Sequence, residues 1–173
     1  DYLNVKENKT QVESNGLGQH LKIVDNNQDG VAEYVLQTKY TVAVMAANGT
    51  SLDVSGVQLV DSKVRDNINS VPSATTPFFT TEGLAAGDVV VYALIDGKIH
   101  ATKAEGETVK INTVNRANKT ATATGEDGKT WSESDVHTHS QANGLVSGVT
   151  GMVGNTTYNI YFDLNGNLAA YTE

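Results

Sequence analysis

Apolar and polar positions along this chain alternate in short runs, and each run ends at a turn signal. The runs span residues 20–24, 32–45, 52–59, 88–94, 98–104, 108–115, 120–124, 129–131, 157–162 and 167–172. They are rich in Val, Thr, Ile and Tyr, the residues that fit a pleated, half-buried surface. Between them stand Asn48-Gly49, Asp96-Gly97, Asp127-Gly128 and Asn165-Gly166. Asn-Gly and Asp-Gly supply the positive φ angles of type I′ hairpin turns. In the stretch from Val89 to Ile95 both faces are apolar, as in a strand covered on both sides. From Tyr158 to Phe162 the apolar residues Tyr158, Ile160 and Phe162 share one face. The pattern predicts an all-β fold of antiparallel hairpins, forming small barrel- or sandwich-like modules. At most one short helix is expected, over residues 60–71, where Val60, Val64 and Ile68 repeat at helical spacing.

Three segments share one plan of apolar strand, Asp, Gly-containing turn and apolar strand. They run from Leu21 through Asp25 and Gly30 to Tyr34, from Ala93 through Asp96 to Ile99, and from Tyr161 through Asp163 and Gly166 to Leu168. Hairpin chemistry recurring in a hairpin protein explains this, and so does a tandem duplication. Both prolines fall in the Ser-, Thr- and Ala-rich stretch 70–82. A composition shift of that kind places a boundary there, with one β module at 1–76 and a second at 77–173. The adjacent Phe78 and Phe79 favour instead a packed segment within one domain.

Composition narrows the chemistry. The chain has 173 residues, enough to bury roughly 70% of its unfolded surface without a staple. It has no Cys, which removes disulfides, thiolate metal sites and a Cys nucleophile together. A net charge of −8 disfavours nucleic acid and anionic lipid and suits an exported protein or a divalent cation. No apolar stretch is long enough to span a bilayer, so membrane insertion is not expected within this segment. The chain opens at Asp1 without a signal peptide, which reads as an excised or processed piece whose export signal and anchor lie elsewhere.

The sharpest local motif is Asp25-Asn26-Asn27-Gln28-Asp29-Gly30-Val31-Ala32-Glu33. Asp25, Asn27, Asp29 and Glu33 place oxygen side chains at loop positions 1, 3, 5 and 9, Gly30 falls at position 6, and the Val31 carbonyl serves at position 7. Alternate side chains then converge on one hard cation. Position 12 of an EF-hand is acidic, but here it is Leu36, and strands flank the loop. Two readings stand: a short β-hairpin calcium loop closed by Glu33, or a polar turn whose Asp and Asn cap their own backbone.

Other constellations are weaker. His137 and His139 share a face in a strand, with Glu133, Asp135 or His100 as a third metal ligand; the plain reading is an exposed polar loop. There is no G-x-S-x-G elbow, and the carboxylates Asp25, Asp29, Asp96, Asp127 and Asp163 fall in turns. Paired-carboxylate glycoside hydrolysis stands as a minor alternative. The glycine-rich stretch 144–154 lacks the Lys and the strand–loop–helix setting of a phosphate loop, and reads as a flexible connection that lets the last strand pair. The four Asn-x-Ser/Thr sites at Asn8, Asn48, Asn118 and Asn155 coincide with turns.

Three segments resemble one family. Val24-Asp25-Asn26-Asn27-Gln28-Asp29-Gly30-Val31-Ala32-Glu33-Tyr34-Val35 is similar to a segment common in S-layer-homology-domain-containing surface proteins of Firmicutes. So are the stretch from Gly83 to Lys98, built around Gly87-Asp88-Val89-Val90-Val91-Tyr92 and Ile95-Asp96-Gly97-Lys98, and the stretch from Tyr158 to Leu168. Their order also agrees. Gln28 stands where the family usually has Gly, and Glu33 where it usually has Asp. The chain holds no S-layer homology repeat itself. The resemblance implies an exported, extracellular β-rich region of a bacterial cell-surface protein, and it carries over no catalytic residue. The expected function is a non-catalytic structural or interaction module, partnered by other surface-protein modules or by a cell-wall or host ligand. The alternative is a glycan- or protein-binding adhesin module using loops around Trp131, His137 and His139.

Overall fold

A computed structural model describes residues 2–3, 19–30, 34–53, 75–95, 97–125, 128–134, 136–138 and 144–173. Among them the regular structure is β throughout, with no α-helix. The strands are β1 (Tyr2–Leu3), β2 (Gln19–Val24), β3 (Tyr34–Lys39), β4 (Thr41–Val44), β5 (Val89–Ile95), β6 (Lys98–Lys103), β7 (Gly106–Asn115), β8 (Thr120–Ala123), β9 (Thr130–Ser132), β10 (His137–Thr138), β11 (Val146–Ser147), β12 (Thr156–Phe162) and β13 (Leu168–Thr172). They form three sheets, ordered β1-β3-β2, β10-β4-β5-β6 and β11-β13-β12-β7-β8-β9. None of the three closes into a barrel, and sandwich-like packing is the arrangement that fits. Pairing is antiparallel except between β10 and β4, where His137 lies opposite Thr41 and Thr138 opposite Val42.

Side-chain alternation explains how the layers meet. Val42 and Val44 of β4 and Val89 and Val91 of β5 point to one face of the four-stranded sheet. There they pack with Ala169 and Ala170 of β13, Leu145 and Val136, joining two sheets through a common core. The intervening residues Ala43, Met45, Val90 and Tyr92 point the other way, where Leu52, Phe78 and Leu84 cover them. The two-sided apolar run is thus buried on both faces from Val89 to Ala93, while Ile95 at its end is exposed. A further core lies on the six-stranded sheet, where Ile111, Ala121, Trp131, Tyr158, Ile160 and Tyr171 pack with Val149 and Met152. The opposite face of that sheet carries polar cross-strand contacts. Thr108 donates to Asn159 Oδ1 at 2.7 Å, and the Thr122 and Thr130 hydroxyls are bonded at 2.8 Å.

Two expectations are refined. The run 32–45 divides at Tyr40, so that β3 and β4 serve different sheets. The turns at Asn48-Gly49 and Asn165-Gly166 are not of the two-residue type I′, while Asp96 and Asp127 lie outside the described residues. That type needs positive φ at both central residues, whereas Gly49 and Gly166 have φ of 68° and 80° while Asn48 and Asn165 stay in the ordinary region. At Asn165-Gly166 the amide of Gly166 donates back to the Asp163 carbonyl, giving a turn followed by one left-handed glycine. The helix expected at 60–71 lies outside the described residues. The division at 76/77 falls between β4 and β5, which pair through Thr41–Tyr92, Val42–Val91, Ala43–Val90 and Val44–Val89.

Candidate functional site

The loop after β2 is described from Asp25 to Gly30; Val31 and Glu33 lie outside the described residues. Asp25 Oδ2 accepts from the Gly30 amide at 2.9 Å, which folds the loop back on its first residue. Asn27 Oδ1 accepts from the Asp29 amide at 3.0 Å, and Asn27 Nδ2 donates to Asp29 Oδ2 at 3.1 Å. Positive φ at Gln28 (60°) and Gly30 (82°) makes the reversal possible. Asp25, Asn27 and Asp29 are therefore brought together, and the self-capping expected of a polar turn is present. The other oxygen of Asp25, Oδ1, is buried and has no hydrogen-bond partner among the described residues.

The His constellation does not assemble among the described residues. His137 lies on β10, while Asp135 and His139 fall outside the described residues. Glu133 is engaged elsewhere: its Oε2 accepts from the Val149 amide at 2.7 Å, and its Oε1 lies 3.8 Å from Lys119 Nζ. His100, on the edge strand β6, stacks against Phe79 with ring centroids 4.6 Å apart and planes 12° apart. Among the described residues no three His, Asp or Glu side chains gather closely enough to hold a metal ion.

Trp131 does not offer a surface platform. It is 5% exposed and sits within the core of the six-stranded sheet, with Phe162 at 6.1 Å and Lys129 Nζ 5.2 Å above its ring. The neighbours Thr130 and Ser132 face outward, so the alternation of polar, apolar and polar residues in β9 already signals an inward Trp. Among the described residues the exposed aromatic is Phe79, at 65%. Its backbone amide donates to the Ile99 carbonyl at 2.8 Å and the Ile99 amide to the Pro77 carbonyl at 2.8 Å, so this segment lines the outer edge of β6.

Three carboxylates organise backbone. Asp163 is buried at the turn between β12 and β13, and its Oδ1 accepts from the amides of Asn165 at 2.8 Å and Asn167 at 2.9 Å. Its Oδ2 accepts from the Ser134 hydroxyl, which in turn accepts from the Val136 amide. Asp88 accepts from the Ala85 amide at 2.8 Å and pairs with Lys103 at 2.7 Å. The Lys103 hydrogen bond, with help from the Ala85 amide, holds its carboxyl below the ordinary value. Glu133 secures the glycine-rich segment as described. Composition alone did not point to Ser134 or Asp163 as partners, although the Asp-x-Asn-Gly turn marks Asp163 as a backbone acceptor.

The glycine-rich segment is more than a connection. Strand β11 pairs with β13, and Val149 and Met152 are fully buried. Arg116, in the turn between β7 and β8, donates from Nε to the Thr150 carbonyl at 3.1 Å and from Nη2 to the Met152 carbonyl at 3.2 Å. The Tyr158 hydroxyl accepts from the Val153 amide at 2.9 Å. The segment is a strap that closes the core of the six-stranded sheet. Compared with protein-family models, with curated proteins and with solved structures, the chain matches none.

Proposed function

We propose that this chain is a structural and interaction module of a bacterial cell-surface protein, with no catalysis of its own. One observation carries the reading: the three segments that resemble S-layer-associated surface proteins contribute to three hairpins of a common antiparallel plan, β2–β3, β5–β6 and β12–β13. The engagement of Asp88, Glu133 and Asp163 with backbone amides supports a framework role for these carboxylates. Acidity and the absence of Cys suit an exported chain. Antibodies against the folded chain should label intact, unpermeabilised producing cells. Labelling that appears only after lysis overturns the surface assignment.

A second, local reading belongs to the loop of Asp25, Asn27 and Asp29. The buried Asp25 Oδ1, without a partner among the described residues, favours a calcium ion there, with Val31 and Glu33 completing the shell. Binding to the native state alone stabilises it by mass action. The melting temperature should rise in millimolar calcium relative to chelator, and Asp25→Asn should abolish the difference. Identical melts of the unsubstituted chain in calcium and chelator remove the calcium reading and leave the self-capped turn.

A further inference from the structure

We draw no further inference here: the strongest candidate, the exposed Phe79–His100 aromatic stack on the outer edge of the four-stranded sheet, carries nothing because nothing in the structure shows what covers it.

Discussion

Asp163 shows how much of this fold hangs on single polar side chains. One buried carboxylate accepts from two turn amides and one buried hydroxyl, so its removal undoes three hydrogen bonds at the β12–β13 turn at once. Asp163→Ala should destabilise the chain by about 3 kcal/mol in urea denaturation, with Ser134→Ala costing about 1 kcal/mol. Equal, negligible effects would show that the turn holds itself. At this scale the sequence was legible where a side chain acts on its own neighbours. Asp25 and Asn27 in their loop and Asp163 at its Asn-Gly turn follow from local Asx chemistry. It was not legible where the partner is distant in the chain. Glu133 presented itself as a metal ligand beside two His, yet it meets Val149, and nothing in the intervening residues announces that meeting.

Among elements, the strands declared themselves and the strap did not. Turn residues and β-branched runs locate β2, β5 through β9, β12 and β13 to within a few residues and read β3 and β4 as one run, because those signals are local. Among the described residues, strands β1, β10 and β11 span two residues each, too short for a local pattern to mark them. The strap hides for a related reason. Its glycines imply mobility, while the burial of Val149 and Met152 depends on Arg116, Glu133 and Tyr158 arriving from elsewhere in the chain. Close approach explains at least one of the glycines: a Cβ on Gly154 would stand 2.6 Å from the Asn112 carbonyl oxygen, a backbone atom that cannot swing aside. Gly154→Ala should therefore lift the strap from β7 and cost roughly 1–3 kcal/mol. The chain's single Trp, buried beneath that region, reports the loss as an earlier shift of fluorescence in denaturant. An unchanged midpoint would mean that strap and sheet are not tightly coupled.

For the whole molecule, the decisive feature is that β4 lies between β5 and β10. A strand from before residue 54 is thereby an interior member of a sheet whose other strands come from after residue 88. Such non-local pairing costs loop-closure entropy before the contacts form, and it predicts that early and late parts of the chain unfold together. A protease site inserted between residues 53 and 75 and then cut should leave two fragments that co-elute on size exclusion and melt in one transition. Separation into two folded fragments would instead establish independent modules on either side of the cut. The position of β13 has a different consequence. It is the last strand of its sheet in chain order, yet it is zipped on both edges, to β11 and to β12. Tension applied along that strand must shear two hydrogen-bonded ladders together; it cannot peel one ladder bond by bond. A chain built in this way is expected to yield late under load applied along that strand, as a higher unfolding force in single-molecule pulling would show.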